Sequence, residues 1–270
     1  MKRRIMTFLC MLVLGAAVIT GCGADNEKAE NKPAGEIVEK GETQENLEGH
    51  TLMIYCGAGM QKPFQEIAEI FQEKTGCEMN VTYANAGQIQ SQITTAQEGD
   101  MFIAGSVDEL KPVEEYVTDY KDLVKHIPVL VAAEGNPKGI EGLASLTGEG
   151  ISMVMGDAEA TPIGKIAKKA LTDAGIFDEV NIIATTATAP QLATVIAGQE
   201  ADAAIIWKEN SQIDGVTIID TQDLQDYIKT IPAAVLSCTS DADAGSIFYE
   251  FLNSDAAKEI WMKYGYEIIE

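Results

Sequence analysis

The stretch GHTLMIYCGAGMQKPF at residues 49–64 decides the fold. Residues 52–55 are four large apolar or aromatic side chains in a row, which indicates a buried strand. Residues 57–59 are small and break that pattern, and from Phe64 the apolar residues recur with helical spacing until Gly76. Such a strand–turn–helix leaves backbone N–H groups and the positive end of a helix dipole at the turn, where an anion can bind. The alternative is an ordinary tight turn of an α/β protein.

Three further turns repeat this arrangement. The four turns lie at residues 57–60, 85–88, 160–164 and 188–191. Pro162 and Pro190 stand early in the last two helices, where a missing N–H costs nothing. A further strand at residues 100–106 ends in Gly-Ser and leads into a helix around residues 107–115. Alternating strands and helices predict an α/β fold with mixed, mainly parallel sheets, helices on both faces and ligand at the carboxyl ends of the strands.

Two apolar runs predict crossovers between two lobes. They are HIPVLVAA at residues 126–133 and IPAAVL at residues 231–236. Two turns precede the first run and two follow it, so helix N-termini of both lobes are expected to converge on a cleft. The expected lobes are residues 49–128 plus 233–270, and residues 129–232, with the C-terminal helices packed back on the first.

The N-terminus has the three parts of a signal peptide, predicted at residues 1–21. Three basic residues precede an apolar segment at residues 5–20, and Gly-Cys follows. Residues 19–22 resemble a bacterial lipobox, which implies lipid on the Cys22 sulfur and a chain anchored to the outer face of the cell membrane. An uncleaved anchor is the alternative. The polar residues 22–48 are expected to form a flexible tether.

The net charge excludes nucleic acid as a partner. It is −23, and −26 once the basic residues Lys2, Arg3 and Arg4 are removed with the signal. The remaining chain contains no arginine, so an anion site must use backbone N–H groups, hydroxyls, amides or lysine. The three remaining cysteines have no metal-like spacing, and we expect small buried side chains or one disulfide among Cys56, Cys77 and Cys238.

The sequence offers no enzyme motif. His50 and His126 have no nucleophile or carboxylate at a suggestive spacing, and we interpret both as incidental surface or packing residues. Asp157 and Glu159 are interpreted as caps near the start of the helix at Pro162. The alternative is direct coordination of an oxyanion's central metal, for which Asp157 and Glu209 are the candidates.

One ordered set of stretches resembles the molybdate- and tungstate-binding lipoproteins of ABC importers. The resemblance runs from about residue 50 to the C-terminus, through YCGAGMQKPFQEIAEIFQEKTG, YANAGQIQSQI, GDMFIAGS, HIPVLVAAEGNP, GDAEATPIGKIAKKAL, TAPQLATVIAGQEADAAIIW and KYG. It implies a two-lobed type II periplasmic-binding-protein fold and a monomer that delivers a tetrahedral oxyanion to a permease, without a cofactor. The turns and the resemblance together predict ligand contacts from Ala58, Gly59, Met60, Asn85, Ala86, Gly87, Ser106, Thr161, Ile163, Ala189 and Trp207.

The chain departs from that family at several of these positions. Gly59 stands where many relatives have serine, Ala86 lies in a turn that is usually serine-rich, and Trp207 replaces a ligand-contacting tyrosine. Ser106 and Thr161 could supply hydroxyls instead. A site without arginine suits an anion that carries no proton, such as molybdate, tungstate or sulfate, whereas phosphate usually needs an acceptor. A receptor for sulfate or phosphate, or an extracytoplasmic enzyme on this fold, are the alternatives.

Overall fold

The computed structural model describes residues 45–269, which belong to one compact unit, Thr43–Glu270. The predicted signal peptide, Cys22 and most of the predicted tether lie outside the described residues. Within them no helix is both long and apolar enough to cross a membrane.

Two sheets organise the described residues. The first has the strand order β11-β4-β10-β3-β1-β2, with β1 (Thr51–Gly57), β2 (Glu78–Ala84), β3 (Met101–Ile103), β4 (Val117–His126), β10 (Lys229–Leu236) and β11 (Glu267–Ile268). The second has the order β7-β6-β8-β5-β9, with β5 (Pro128–Ala133), β6 (Met153–Gly156), β7 (Ile182–Thr186), β8 (Ala203–Trp207) and β9 (Val216–Ile218).

The helices begin where the sequence pattern predicts them. They are α1 (Gln61–Thr75), α2 (Ala86–Ala96), α3 (Pro162–Asp173), α4 (Ala189–Ala197), α5 (Ala242–Phe251) and α6 (Asp255–Lys263). Short 3-10 helices cover Ala58–Met60, Val107–Tyr116, Leu143–Thr147, Lys208–Ser211 and Gln225–Tyr227. Gly76 ends α1 with a left-handed φ of 78°, the C-terminal position that glycine fills without strain.

The two-lobed fold with mixed sheets is confirmed, but the sheets are not mainly parallel. Among the described strand pairs, four are parallel: β1 with β2 and β3, and β6 with β7 and β8. Five are antiparallel: β10 with β3 and β4, β11 with β4, and β5 with β8 and β9. The strands that follow each passage from one sheet to the other, β5 and β10, are antiparallel to their neighbours. The number of strand–helix repeats in the sequence does not reveal this direction.

Helices cover both faces of the first sheet, as predicted. Side chains alternate along β1, so Leu52 and Ile54 pack under α1, α5 and α6, where Phe64, Phe71, Phe248 and Trp261 are buried. Tyr55 faces the other side, against Ile89 and Ile93 of α2. The second sheet packs with α3 and α4 in one continuous core.

The first passage between the sheets occurs at one residue, Ile127, which lies between β4 and β5. The predicted run 126–133 is therefore correctly placed but is mostly strand β5. The run 231–236 is not a crossover, because the whole of β10 pairs inside the first sheet. Residues 229–232, expected in the second lobe, belong to that sheet. Pro232 is tolerated in this central strand because the register shifts between Ile231 and Pro232.

The predicted tether is too long at its C-terminal end. Leu47 is only 5% exposed and packs in the first core, and its N–H donates to the carbonyl of Thr75 at 2.8 Å. Residues 47 and 48 are thus part of the folded unit, and the sequence around Leu47 was too polar to show it.

Candidate functional site

The parallel register brings three strand ends of the first sheet to one edge. Gly57 is opposite Ala84 of β2, and Cys56 is opposite Ile103 of β3. A Cβ placed on Gly57 would lie 4.0 Å from the Gly105 nitrogen, so the turn after β1 and the loop after β3 are in contact. We call this edge, with the turns at 57–60, 85–88 and 104–106, the first carboxyl edge.

The turn after β1 offers backbone rather than side chains. Ala58 and Gly59 are exposed, and no protein atom lies within 4 Å of a Cβ placed on Gly59. Met60 is 3% exposed, and its side chain packs in the first core beside Gly57. The predicted contact of Met60 can therefore involve only its main chain.

The turn after β2 is a capped helix start. The Asn85 side chain accepts the Gln88 N–H at 3.0 Å, and the Gln88 side chain accepts the Asn85 N–H at 3.3 Å. Ala86 and Gly87 begin α2 beside them, next to a shallow cavity of about 660 Å³ lined by polar side chains that include Ser91 and Gln92. The amide of Asn85 is thus used within the turn, which leaves the first N–H groups of α2 as donors.

Ser106 follows β3 in extended conformation, and its hydroxyl makes no hydrogen bond with any described residue. The Gly105 N–H, in contrast, donates to the Glu109 carboxylate at 2.8 Å. Ser106 therefore keeps an uncommitted hydroxyl at the first carboxyl edge, and its contact with a ligand stays a prediction.

The second sheet gathers the other two turns at its own carboxyl edge. Gly156 is opposite Thr186, and the Asp157 N–H donates to the Thr186 carbonyl at 2.9 Å. Gly164 of α3 packs so closely on this turn that a Cβ there would lie 2.4 Å from the Asp157 carbonyl oxygen. The start of α3 is therefore fixed against the end of β6, and only glycine fits at this position.

Side chains on this second edge are mostly committed to structure. The Thr161 hydroxyl accepts the Gly164 N–H at 3.1 Å and donates to the Asp157 carbonyl at 2.7 Å, so it caps α3 rather than offering a hydroxyl. Ile163 is 1% exposed and packs in the second core. Ala189 is half-buried at the first position of α4. Thr161 and Ile163 can therefore contribute backbone contacts only.

The capping interpretation is wrong for Asp157, because Thr161 is the N-cap of α3 and Asp157 instead closes the turn before it. Its carboxylate accepts the N–H groups of Glu159 and Ala160, which lowers the pKa of Asp157. Glu159 does not cap; it pairs with Lys168 at 3.3 Å on the surface. The described residues contain no group of three or more His, Cys, Asp or Glu side chains that could hold a metal ion.

The two carboxyl edges meet at His126. Its ring stacks on Trp207 with centroids 3.5 Å apart, and its Nε2 lies 3.0 Å from the Glu209 carboxylate. The Nδ1 atom lies 3.0 Å from the Gly105 carbonyl. Because both oxygens only accept, both ring nitrogens are placed to donate. The interpretation of His126 as incidental is wrong: it joins the end of β4 to the segment after β8.

Trp207 is 7% exposed because this stacking covers it, and its indole N–H has no hydrogen-bond partner among the described residues. Burial raises the pKa of the neighbouring Tyr266 strongly, with a further contribution from Glu209. The sequence could not show this cluster, because its members are far apart along the chain and join only when the two sheets come together.

The structure also tests the predictions about the three cysteines and about His50. Cys56, Cys77 and Cys238 are free, so no disulfide joins them, and the first two are buried as expected. His50 is paired with Asp241, with Nδ1 2.6 Å from the carboxylate, and is therefore not incidental.

Residues 52–267 match the family described as bacterial extracellular solute-binding protein. The match covers most of the chain. The chain belongs to this family.

Among its relatives are the molybdate-binding proteins ModA. The one from Rhodobacter capsulatus is 26% identical over 219 residues, which is 77% of this chain and 85% of that protein. The one from Escherichia coli strain K12 is 23% identical over 233 residues, 80% of this chain and 89% of that protein.

Solved structures share the fold at low sequence identity. A substrate binding domain from Clostridium difficile has a TM-score of 0.70, with 23% identity over 82% of this chain and 99% of that chain. The sulfate-binding protein SubI from Mycobacterium tuberculosis H37Rv has a TM-score of 0.63, with 12% identity over 82% and 88%. The ferric binding protein from Campylobacter jejuni has a TM-score of 0.65, with 18% identity over 80% and 85%. These proteins show the fold, and their ligands differ.

Family membership and geometry together make this a solute-binding protein of the ABC-importer type that works outside the cytoplasm. Its relatives are binding proteins of transporters rather than enzymes, and a permease is the expected partner. At its two carboxyl edges the solute-binding protein presents backbone N–H groups and the Ser106 hydroxyl.

Proposed function

We propose that this solute-binding protein captures a tetrahedral oxyanion, molybdate or tungstate, between its two carboxyl edges. The observation that carries the proposal is that helices or 3-10 helices start at all four turns, at the carboxyl edges of two sheets that meet at His126. Helix N-termini favour anions, and the chain beyond residue 4 has no arginine to replace them.

In this proposal the donors are mostly backbone. Ala58, Gly59 and Met60 contribute main-chain groups from the first turn, and Ala86 and Gly87 from the second. From the second edge Ile163 and Ala189 contribute main-chain groups. Ser106 adds a hydroxyl, and Trp207 contributes its indole N–H. Asn85 and Thr161 hold the turns in shape.

The cellular context is part of the proposal. Lipid on Cys22 would hold the chain at the outer face of the membrane, and the protein would pass the anion to the permease as a monomer. The proposed lobes are residues 49–128 plus 229–270, and residues 129–228, adjusted for the position of β10.

Calorimetric titration of the purified protein with molybdate, tungstate, sulfate and phosphate tests the ligand, with a ferric salt as a fifth probe. We expect binding of molybdate and tungstate with equal affinity, since their sizes nearly coincide, and weaker binding of the smaller sulfate. At about 100 times Kd, molybdate should stabilise the fold by about 2.7 kcal/mol. Tight binding of sulfate, phosphate or iron without a response to molybdate would contradict the proposal.

Sulfate is the second candidate. It is supported by the fold shared with the sulfate-binding protein and by an edge built from uncharged donors, which suits any anion without a proton. The same titration decides between the two.

A further inference from the structure

One carboxylate lies among the proposed donors. Glu109 is half-buried on the 3-10 helix Val107–Tyr116, and its Oε2 accepts the Gly105 N–H at 2.8 Å. Gly105 in turn contacts the turn at Gly57. The carboxylate thus sits at the first carboxyl edge and uses an N–H that a ligand oxygen would otherwise accept.

The second edge also reaches Glu109. The positive charge of Lys165, in the first turns of α3, acts on the Glu109 carboxyl, as does that of His126 at the end of β4. Glu109 therefore lies at the first carboxyl edge, where the charges of Lys165 and His126 act on its carboxyl. The proposed function places the anion at this edge.

Two of the other charged groups that act on Glu109, His126 and Asp108, are already paired. His126 faces the Glu209 carboxylate, and Asp108 on the same 3-10 helix binds Lys111 and Lys229. Glu109 makes no ion pair among the described residues, and its Oε1 accepts no hydrogen bond there. One carboxylate oxygen is therefore left to interact with a ligand.

An ionised Glu109 carboxylate next to a doubly charged oxyanion repels it. A protonated carboxyl instead donates a hydrogen bond to the anion and releases the Gly105 N–H from charge-assisted bonding. Burial raises the pKa of Glu109, partly offset by the Gly105 N–H and by the charges of His126 and Lys165. Burial therefore favours the protonated form of this carboxyl, which can donate a hydrogen bond.

We propose that Glu109 is a specificity-determining residue: an oxyanion without its own proton binds only with uptake of one proton on the Glu109 carboxylate. An oxyanion that carries a proton, such as hydrogen phosphate, instead donates that proton to the ionised carboxylate. The inference rests on the proposed function, because it places an anion at these edges. It adds that the protonation state of the ligand, and not only its size, decides which anion is held.

The test is titration of the full-length protein in detergent micelles with sodium molybdate, between about pH 5.5 and pH 8. Above the pKa of Glu109 the affinity should fall about tenfold per pH unit, as uptake of one proton requires. In Glu109→Gln the affinity should be independent of pH and higher than the parent's at about pH 8. The glutamine retains an oxygen for the Gly105 N–H, and melting temperatures check that the variant folds.

The matched control is Glu115→Gln, which removes the same charge from an exposed position of the same 3-10 helix and should keep the parent's pH slope. Protonation of molybdate itself would affect parent and variants equally. A parent affinity independent of pH, or a slope retained in Glu109→Gln, would overturn the inference and leave the anion site intact. Absence of binding by every protein at every pH would overturn the proposed function and the inference together.

Discussion

At the scale of single residues, the ring of His126 connects the two sheets. Its side chain is 10% exposed, that of Glu209 is 9% exposed, and the ring stacks on Trp207. A buried carboxylate is costly to leave without its hydrogen-bond donor. The contact between the two sheets at His126 therefore depends on this hydrogen bond as well as on packing.

Replacing His126 with phenylalanine keeps an aromatic ring on Trp207 but removes both donors. We expect a loss of about 3–5 kcal/mol in the free energy of unfolding, because the buried Glu209 carboxylate loses its His126 donor. Denaturant unfolding measures the loss. The double variant His126→Phe/Glu209→Met should lose less than the sum of the single changes. Additive losses would show that the two side chains do not interact.

Ala86 lies at the start of α2, beside the N–H groups proposed to bind the anion. Ala86→Asp adds a carboxylate there, which the helix dipole tolerates. At 4 Å and an effective dielectric constant of 20, two unit charges repel by about 4 kcal/mol, so molybdate should bind at least about tenfold more weakly. Titration measures this, with Ala86→Asn as the uncharged control. Equal affinity of Ala86→Asp and parent would remove this turn from the proposed site.

At the scale of elements, the turns were easier to predict than the roles of their side chains. Small residues and an N-cap appear together in the sequence and locate the starts of α2, α3 and α4, and an early proline also marks the last two. Whether the hydroxyl of a capping residue faces the ligand or its own helix depends on one rotamer, which no pattern reports. Ser106 and Thr161 look alike in the sequence, and only Ser106 keeps a free hydroxyl.

Thr161→Val tests this structural role. Loss of the cap on α3 should cost about 0.5–2 kcal/mol of stability, measured by denaturant unfolding, while molybdate affinity changes less than about threefold. Thr161→Ser retains the hydroxyl and should behave as the parent. A large loss of affinity at unchanged stability would return Thr161 to the list of ligand-contacting side chains.

One strand was missed, and one helix was predicted without its type; both have weak patterns of their own. Strand β4 carries the polar sequence VTDYKDLVKH, and it is stable because it pairs with β10 along its length. The segment 107–116 is a 3-10 helix rather than an α-helix, since Pro112 lies inside it and Val113 has a φ of −124°. In both cases pairing or backbone geometry, rather than side-chain periodicity, decides the structure.

At the scale of the whole molecule, several surface carboxylates support the fold by accepting hydrogen bonds. Bonds from Lys111 and Lys229 lower the pKa of Asp108 to about 2, a bond from His50 lowers that of Asp241, and one from Lys208 lowers that of Glu267. A carboxyl whose pKa is lower in the folded state stabilises the fold above its unfolded-state pKa. That contribution is lost as the pH falls through the folded-state value.

The melting temperature should therefore decline as the pH falls from about 4 to about 2. The share of Asp108 is small because its side chain is 55% exposed. Calorimetric melting at several pH values measures the decline, which should be shallower in Asp108→Asn. A melting temperature that rises over this range would contradict the assignment of these bonds.

Truncation locates the start of the folded unit. Deletion of residues 23–44 should leave melting temperature and molybdate affinity unchanged, whereas deletion of residues 23–48 should lower stability because Leu47 leaves the first core. Leu47→Ala in the full chain gives the scale of that loss, about 2–5 kcal/mol for a buried leucine. Thermal melting of the three proteins is the measurement. Identical melting of the two truncated forms would show that Leu47 adds nothing.

The direction of strand β1 matters for delivery of the anion to the permease. The chain joins the folded unit at Leu47, beside the amino end of β1, and the proposed donors lie after its other end at Gly57, about 20 Å away. If Cys22 is the lipid attachment point, the proposed binding edge and the point where the tether joins the folded unit lie at opposite ends of β1. The 23 Cα-to-Cα spacings between Cys22 and Glu45 span at most about 80 Å when the chain is fully extended. A folded unit of this size is about 45 Å across, so the tether is long enough for the proposed binding edges to turn toward the bilayer.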